Sequence, residues 1–359
     1  MKFISSLFLI LIISPIVVIS QIVSPVSELP DEINETSGLI FLENKIITHN
    51  DSGDRPMLYE IDSINGQISR KVVIENAINT DWEDICYDDE YIYIGDFGNN
   101  YGNRTDLKVY KISRSDYFNN DTVTAAVIKF SYKEQIDFSE QLLETNFDAE
   151  SILSIDDSLY IFSKNYGNFK SYIYSLSKSP GEYHIGIKDS IGPIGLITGA
   201  EYNKYSNTIL LTGMSLNPLV IELKNYHSGK FSNGEIISHT LELGESKQIE
   251  GICSLGENEY LIASEKTTSN AFLYKLTMSS LAVFAVPNER IKTYPNPSTN
   301  YISLSGLAES QNYIIYNMQG KQVLRGTITN DNKIEVKFLT KGMYLLKLEN
   351  FEIIKFIKE

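Results

Sequence analysis

The sequence predicts an all-β chain, a β-propeller of five blades with four antiparallel strands each, followed by a small β-sandwich. Three observations lead to this fold class. A related segment recurs five times between residues 30 and 276, and short apolar stretches alternate with polar turns around each copy. The chain is rich in tyrosine (23) and phenylalanine (16), which favour half-buried strands.

The clearest copy of the recurring segment is "NTDWEDICYDDEYIYIGDFGNN", at residues 79–100. The weaker copies read "NETSGLIFLENKIITHNDSGD", "DAESILSIDDSLYIFSKN", "ITGAEYNKYSNTILLTGMS" and "QIEGICSLGENEYLIASEKT". The aligned positions hold Ser37, Glu83, Glu150, Glu201 and Glu250. Their spacing of roughly 50 residues is typical of propeller blades.

Two irregularities bear on the blade count and on ring closure. The long interval between Glu83 and Glu150 predicts an insertion within residues 99–146, and a sixth, degenerate blade inside it is the alternative count. The last unit lacks a clear fourth strand. We expect the N-terminal segment "QIVSPVSEL" to supply that strand, with "LAVFAV" at residues 281–286 as the rival.

The N-terminus, "MKFISSLFLILIISPIVVISQ", indicates a secretory signal peptide over residues 1–20, cleaved after Ser20. A membrane anchor is the alternative. The apolar run is broken by Ser14 and Pro15, and it is short for a span of about 20 residues. The mature chain, residues 21–286 for the propeller and 292–359 for the second domain, is therefore expected to carry no integral membrane segment.

Charge is distributed unevenly along the chain, whose formal net charge is −15. Residues 22–288 hold 39 acidic against 20 basic side chains, whereas residues 291–359 hold 6 against 9. An acidic body argues against nucleic acid and anionic membrane surfaces as partners. It permits cations, neutral sugars and basic peptides.

The propeller geometry predicts a convergence of carboxylates. The start of each inner strand and the end of the second strand lie on one face, so the recurring glutamates should ring one mouth of the channel. A residue two positions earlier points to the same side of an extended segment. The resulting candidates for binding a ligand or cation are Asp51, Asp81, Glu83, Asp96, Asp148, Glu150, Glu201 and Glu250.

Three interpretations of this ring stay open. The glutamates could accept backbone N–H bonds and fasten neighbouring blades. They could hold a cation, because converging carboxylates must be neutralised and an oxygen-only ligand set favours Ca²⁺ or Mg²⁺. The metal ligands would then be Glu83, Glu150, Glu201 and Glu250. Direct catalysis is the third interpretation.

Signals for catalysis are sparse. His49 is the one histidine expected on this face, where Asp51 or Asp96 could orient it as a base. The alternative is a loop shaped by turn residues. Trp82 is expected to pack between blades, and Cys86 and Cys253 are expected to be small buried hydrophobes without a bridge.

The segment "THNDSGDRPMLYEID", followed by "NTDWEDICYDDEYIYIGDFGNN", resembles a family of secreted bacterial propellers with DWED and GDxGDN-type repeats. The resemblance covers nearly all of residues 30–276. It implies a propeller without a settled activity, and more distant propellers include lactonases, phytase-like esterases and binding modules. The chain departs from the pattern at Asn99, where an aspartate is common, and at Cys86.

After a linker at residues 287–291, alternating apolar residues predict a β-sandwich of about seven strands, with a hairpin turn at Gln319-Gly320. The motifs "YPNPS", "IYNMQGKQV" and "LTKGMYLLK" resemble the type A sorting domain of the Bacteroidetes type IX secretion system over residues 292–359. The matching residues are Tyr294, Pro295, Asn296, Pro297, Gly320, Lys321, Gly342 and Tyr344. This resemblance implies the type IX secretion machinery as a partner and a destination at the outer-membrane surface or outside the cell.

For function, the sequence favours a binding module for a glycan or peptide, with a divalent cation as a candidate cofactor. Tyr101, Tyr166 and Phe97 are the candidate aromatic contacts beside the mouth. The alternative is a metal-dependent hydrolase of lactonase-like or phosphoesterase-like type. A structural surface protein, with every repeat glutamate satisfied by backbone N–H groups, is the third class.

Overall fold

The computed structural model describes residues 16–243, 247–283, 291–305, 307, 310–318, 320–329, 333–348 and 353–359. Most of the predicted signal peptide, residues 287–290 of the predicted linker and Gln319 of the predicted turn lie outside the described residues. The chain divides into a compact unit at Ile19–Ser280 and a second unit that contains the C-terminal part, from Leu281 onward.

The N-terminal unit is built from short strands. In chain order they are β1 (Ile16–Glu28), β2 (Thr36–Leu42), β3 (Lys45–Asn50), β4 (Met57–Ile61), β5 (Ile68–Ile74), β6 (Trp82–Tyr87), β7 (Tyr91–Asp96), β8 (Lys108–Ser113), β9 (Thr122–Val123), β10 (Ala126–Tyr132), β11 (Ala149–Ile155), β12 (Ser158–Ser163), β13 (Ser171–Ser177), β14 (Gly181–Ile185), β15 (Ile187–Ile191), β16 (Leu196–Asn203), β17 (Thr208–Met214), β18 (Pro218–Lys224), β19 (Glu235–Thr240), β20 (Ile249–Ser254), β21 (Glu259–Ser264) and β22 (Phe272–Val283). One α-helix, α1 (Arg114–Asn119), and two 3₁₀ turns, Asp31–Ile33 and Phe231–Asn233, accompany them.

These strands form five sheets, and the sheets are the blades. Their strand orders are β2-β3-β4-β5-β9, β6-β7-β8-β10-β14, β11-β12-β13-β15, β16-β17-β18-β19 and β20-β21-β22-β1. The predicted propeller of five blades is confirmed. The N-terminal strand β1 is the outer strand of the fifth blade, so the segment "QIVSPVSEL" closes the ring as expected.

The inner strands are β2, β6, β11, β16 and β20, and each contacts the inner strand of the next blade, with β20 returning to β2. They are buried along most of their length because both faces are covered by neighbouring blades. Their N-terminal ends meet at one mouth of the channel and their C-terminal ends at the other. The site described below depends on this arrangement.

A β-bulge interrupts each inner strand near its start. The bulge leaves Glu83, Glu150, Thr198 and Glu250 without a partner in the strand pairing, and in the first blade Ser37 and Gly38. A bulge redirects its side chain relative to the pleat. The sequence alignment of the fourth blade was therefore wrong by three residues, because Thr198 and not Glu201 occupies the repeated position.

The insertion of the second blade does not form a sixth blade in the described part of the chain. It supplies α1, which is capped by Ser113 Oγ accepting the N–H of Asp116 at 3.3 Å. It also supplies β9, which pairs in parallel with β5 of the first blade. The insertion thus joins the first two blades to each other.

Apolar side chains fill the spaces between blades. Trp82 is fully buried in a cluster with Ile40 of the first blade and Tyr110 of the second, which confirms its predicted packing role. Cys86 and Cys253 are free and buried, as predicted.

The C-terminal unit contains seven strands among its described residues. They are β23 (Lys292–Tyr294), β24 (Tyr301–Ser305), β25 (Gln311–Asn317), β26 (Gln322–Ile328), β27 (Lys333–Glu335), β28 (Gly342–Leu348) and β29 (Ile354–Lys358), in sheets ordered β23-β24-β27 and β26-β25-β28-β29. Tyr344 stacks on Phe356 at 5.6 Å between ring centroids and donates its hydroxyl to the carbonyl of Thr340. The Asn296 side chain accepts the N–H of Ile357 at 2.9 Å, so this motif residue ties the start of the unit to β29.

Across the described residues, no helix has both the length and the apolar character needed to cross a membrane.

Candidate cation site at the acidic mouth

A small cavity of about 160 Å³ opens where the inner strands begin. Carboxylates of four blades line it. Asp51 follows β3 of the first blade, Glu83 and Glu150 lie at the bulges of β6 and β11, and Glu250 and Glu265 belong to the fifth blade. The cavity and these side chains, together with Asp81 and Asp148, are called the acidic mouth below.

Two overlapping groups of carboxylates stand close enough to share one ion. Asp51, Asp81 and Glu83 form one group, and Glu83, Asp148 and Glu150 form the other. Within each group one oxygen per residue lies within 4.8 Å of the others. Glu83 belongs to both groups, so it is the central side chain of the acidic mouth.

The loop after β7 approaches these carboxylates through Gly98. A Cβ atom at this position would overlap Glu83 Oε1 and Asp81 Oδ2. The backbone N–H of Gly98 donates to the carbonyl of Asp81 at 3.2 Å. Glycine is therefore required here because only a residue without a side chain lets the loop lie against the two acids.

Several buried oxygens of the acidic mouth have no hydrogen-bond partner among the described residues. They are Asp51 Oδ1, Asp148 Oδ2 and Glu250 Oε1. Asp148 is fully buried and Glu250 is 6% exposed. The other oxygen of Asp148 accepts the N–H of Asn99 at 2.6 Å, which aims the carboxylate. A buried carboxylate oxygen without a partner is costly unless a proton or a cation neutralises it.

Burial raises the pKa of several acids of the mouth. Burial, reinforced by the nearby charges of Asp81 and Glu150, raises the pKa of Asp51 to about 8. Burial likewise raises the pKa of Asp81 to about 6. For Glu83, burial and then the charge of Glu150 hold the pKa well above its usual value.

Three further acids follow the same trend. Burial raises the pKa of Glu265 to about 7, and burial with the charge of Glu150 holds the pKa of Asp148 well above its ordinary range. Burial also raises the pKa of Glu250, although the charge of Lys164 opposes that rise. Converging carboxylates in a dry site cannot all ionise without a counter-ion.

Lys164 is the cation that the chain itself brings to the acidic mouth. Its Nζ lies 3.1 Å from Glu150 Oε1, and its side chain is 13% exposed. Burial lowers the pKa of Lys164, but the charges of Glu150 and Glu250 outweigh burial and hold that pKa well above its usual value. Among the described residues that line the cavity, Lys164 is the one basic side chain. The acidic mouth holds seven carboxyl groups, namely Asp51, Asp81, Glu83, Asp148, Glu150, Glu250 and Glu265.

Of the four predicted glutamates, Glu201 does fasten neighbouring blades, because its Oε1 accepts the backbone N–H of Ser254 on β20 at 3.0 Å. Asp84 provides two further ties. Asp84 Oδ2 accepts the N–H groups of Ile152 at 2.9 Å and Ala200 at 3.3 Å, in two other blades. In the described part of the chain, no backbone N–H donates to the carboxylates of Glu83, Glu150 or Glu250. The fastening prediction is therefore wrong for these glutamates.

Hydroxyl groups fasten the two bulges that lack a glutamate. Ser37 Oγ donates to the carbonyl of Glu83, and Thr198 Oγ1 donates to the carbonyl of Ile249 at 2.5 Å. Each bond joins the bulge of one blade to the inner strand of the next.

Two predicted members of the ring lie elsewhere. Glu201 lines the opposite mouth of the channel, where its Oε1 accepts the N–H of Ser254 at 3.0 Å. Asp96 is fully buried and neutralised, with Arg104 at 2.9 Å and Lys108 at 3.3 Å. An aspartate already paired with two cations is not a free ligand for a metal.

His49 does not reach the acidic mouth. It is fully buried with its ring edge-on to Trp82, at 5.6 Å between centroids. Its Nδ1 lies 2.9 Å from the carbonyl of Asn50. Burial lowers the pKa of His49 to about 4, so the ring is neutral near pH 7. The predicted base therefore has no access to a substrate in the cavity.

Of the three predicted aromatic contacts, one is buried and two are accessible. Phe97 is fully buried against Phe130 and cannot contact a ligand. Tyr166 lines the cavity and donates its hydroxyl to Asn100 Oδ1 at 3.1 Å. Tyr101 is 44% exposed on the loop that follows β7.

Sequence reasoning missed Lys164 and Glu265. The strand pairing makes Asn50, Ser163 and Ser264 equivalent. Asp51, Lys164 and Glu265 are the next residues along the chain, so they occupy one repeated position. A charged residue directly after the second strand was the signal that could have identified both.

Comparisons with known proteins match the C-terminal unit to a family and the chain to solved structures of low sequence identity. Residues 292–359 match the family model for a secretion system C-terminal sorting domain. No curated protein matches the chain.

Several solved structures resemble the chain at low similarity. A glucose dehydrogenase is 11% identical with a TM-score of 0.42, and the match covers 71% of this chain and 98% of that one. A structural genomics protein of unknown function from Bacteroides thetaiotaomicron is 9% identical with a TM-score of 0.42, covering 73% and 76%. The protein YCF48, solved bound to a D1 peptide, is 10% identical with a TM-score of 0.33, covering 97% of both chains.

The match over residues 292–359 agrees with the motifs of that segment and with its seven-strand fold. The chain thus carries a type IX sorting domain at its C-terminus, and it is secreted to the cell surface or the extracellular space.

Proposed function

We propose that the propeller is an extracellular binding module whose acidic mouth holds a divalent cation, Ca²⁺ or Mg²⁺. The observation that carries the proposal is the overlap of two carboxylate groups at Glu83, with ligand oxygens within 4.8 Å of one another. The unpartnered oxygens of Asp148 and Glu250 support it, because a bound cation would satisfy them.

The chemistry of the mouth favours a hard cation. Its ligand atoms are carboxylate oxygens, and the side chains of Asn100 and Gln248 add amide oxygens without a cysteine or histidine. Ca²⁺ accepts six to eight oxygens in flexible geometry, whereas Mg²⁺ requires a tight octahedron. The number and spread of the carboxylates therefore favour Ca²⁺ over Mg²⁺.

The size of the cavity separates the cation from the ligand that it would recruit. About 160 Å³ suits an ion with a few water molecules, and it is below the volume of ordinary sites for organic ligands. A glycan hydroxyl or a peptide oxygen would complete the coordination from outside. Tyr166 lines the cavity and would contact that ligand. Tyr101, exposed on the loop after β7, is the second aromatic candidate.

A metal-dependent hydrolase is the second candidate, and one observation favours it. Asp51 lines the cavity with an unpartnered Oδ1, and its pKa is raised to about 8. With a cation bound, the free carboxylate oxygen of Asp51 could accept a proton from a metal-bound water. Hydrolysis of a lactone or a phosphate monoester that requires Ca²⁺ and is lost in Asp51→Asn would establish this activity. If neither substrate is turned over in a Ca²⁺-dependent way, the hydrolase is excluded.

Calorimetric titration of the full chain with CaCl₂ and with MgCl₂ tests the proposed cation site. We expect saturable binding, at least tenfold weaker in Glu83→Gln, because this substitution removes a charged ligand common to both carboxylate groups. Glu182→Gln is the matched control, since Glu182 is exposed on β14, and its affinity should equal that of the wild type. Absence of binding, or equal binding by Glu83→Gln, would contradict the proposal.

A further inference from the structure

The opposite end of the channel carries a second and larger cavity of about 580 Å³. It lies where the inner strands end, and residues of all five blades contribute to it. Its volume falls within the range of roughly 300–1,000 Å³ that small-molecule sites occupy. Because Tyr87, Tyr202 and Tyr205 line it, this cavity is called the tyrosine mouth below.

We infer that the tyrosine mouth binds a neutral saccharide of one or two sugar units. The inference is independent of the proposed cation site, which lies at the other end of the channel. It rests on the aromatic lining, on one anchored carboxylate and on the pairing of charges in the walls.

The aromatic lining provides surfaces for a sugar ring. Tyr205 is 63% exposed at the cavity, although it is a large aromatic side chain. Tyr87 and Tyr202 are partly buried and add two further rings. A tyrosine presents an apolar face together with a polar hydroxyl, which matches the apolar C–H face and the hydroxyl edge of a sugar.

Glu201 provides a fixed acceptor in the same cavity. The N–H of Ser254 donates to Glu201 Oε1 at 3.0 Å, and the Ser254 hydroxyl donates to the same oxygen. In the described part of the chain, no hydrogen bond engages Oε2. The second oxygen is thus available to a ligand hydroxyl while the first holds the carboxylate in place.

The charged groups of the walls are largely paired with each other. Arg114 lies 3.0 Å from Glu43, and Lys178 lies 2.9 Å from Asp88. Lys204 lies near the Tyr205 ring. The acids outside these two pairs disfavour an anionic ligand; they are Asp89, Asp156 and Glu201. The three basic side chains of the cavity, Arg114, Lys178 and Lys204, disfavour a polyamine. A neutral ligand with many hydroxyl groups can donate to the carboxylates and accept from the cations.

The two mouths therefore differ in the chemistry that they would recognise. The acidic mouth is small and lined by carboxylates, whereas the tyrosine mouth is about 580 Å³ in volume and combines aromatic, acidic and basic groups. A saccharide at the tyrosine mouth does not require a cation. This difference makes the two proposals separable by experiment.

Saturation-transfer NMR on the full chain in EDTA tests the inference. The probes are glucose, galactose, mannose, N-acetylglucosamine, cellobiose and maltose, with spermidine and inorganic phosphate as charged comparators. We expect saturable binding of at least one saccharide, weakened about tenfold by Tyr205→Ala through loss of ring contact. Glu201→Gln should also weaken binding.

Tyr294→Ala is the matched control, because Tyr294 is a 52% exposed tyrosine of the sorting domain. Thermal unfolding should be unchanged in Tyr205→Ala, since the side chain is mostly exposed. The inference is overturned if no saccharide of the panel binds, if the bound saccharide is held equally well by Tyr205→Ala and Glu201→Gln, or if spermidine or phosphate occupies the site in preference. Failure of cation binding at Glu83 would leave this result unaffected.

Discussion

Glu83 and Asp84 are consecutive residues of β6, yet their carboxylates serve different parts of the molecule. The bulge at Glu83 directs its side chain into the acidic mouth, where it belongs to both carboxylate groups. Asp84 instead accepts the N–H groups of Ile152 and Ala200 and so joins three blades. Two adjacent residues therefore have different roles: Glu83 is a candidate ion ligand, and Asp84 connects blades.

This separation predicts opposite effects on stability for substitutions at the two positions. Asp84→Ala removes the acceptor of three buried N–H donors, those of Ile85, Ile152 and Ala200, at a cost of about 1–3 kcal/mol for each donor left unpaired. We expect its unfolding midpoint to fall both in EDTA and in Ca²⁺. Glu83→Gln removes one of several repelling carboxylates, so its midpoint in EDTA at pH 8 should equal or exceed that of the wild type.

Thermal unfolding of both variants in both buffers makes the comparison. If Glu83→Gln loses as much stability in EDTA as Asp84→Ala, Glu83 is a structural tie and the assignment of roles is wrong.

The raised pKa values predict how stability depends on pH. An acid whose pKa is higher in the folded chain keeps its proton there after the unfolded chain has lost it, so stability falls as pH rises through this interval. For Asp51 the interval runs from its ordinary value of 3.8 to about 8. A bound cation replaces these protons and removes the loss.

Unfolding midpoints measured from pH 4 to pH 8 should therefore agree in EDTA and in Ca²⁺ near pH 4 and diverge steadily toward pH 8. The difference between the two buffers cancels contributions of carboxylates elsewhere in the chain. A difference that stays constant or shrinks as pH rises would contradict the linkage.

Lys164 is predicted to compete with the cation. Its ammonium lies 3.1 Å from Glu150 in a largely buried site, and its positive charge would repel a cation bound a few ångströms away. Lys164→Met should therefore bind Ca²⁺ about tenfold more tightly than the wild type. In EDTA the same variant should be less stable, because Glu150 loses its counter-ion.

Lys164→Arg retains the charge and is the control, with an affinity close to that of the wild type. Calorimetric titration measures all three chains. Weaker Ca²⁺ binding by Lys164→Met would show that the lysine supports the ion rather than competes with it.

The sequence was sufficient to predict the architecture because the pattern of strands repeats along the chain. The fourth strand of the last blade was also predicted correctly: the N-terminal segment was preferred over the rival stretch at residues 281–286, and β1 takes that place. The internal organisation of the insertion was not predictable from the sequence, because α1 and β9 are too short to give a periodic signal.

The candidate site was only partly predictable. Glu83, Glu150 and Glu250 were found because each precedes a strongly apolar strand. Glu201 was misplaced because "ITGAEY" offers a glutamate three residues beyond the bulge, and a bulge cannot be located from hydrophobic pattern alone.

The roles of His49 and Asp96 depended on tertiary contacts. Both lie in loops or strand ends that sequence reasoning assigned to the correct face of the propeller. Packing on Trp82 removes His49 from solvent, and Arg104 neutralises Asp96. The alternation of residues in a strand does not encode which neighbour covers a side chain.

The central claim is tested most directly by thermal unfolding of the full chain at pH 8, first in EDTA and then with CaCl₂. A ligand bound only by the folded state stabilises it by about 2.7 kcal/mol at a free concentration 100 times Kd. For a propeller of this size we expect the midpoint to rise by about 5 to 10 °C, and the rise to be lost in Glu83→Gln. An unchanged midpoint with CaCl₂ and with MgCl₂ would contradict a cation site at the acidic mouth.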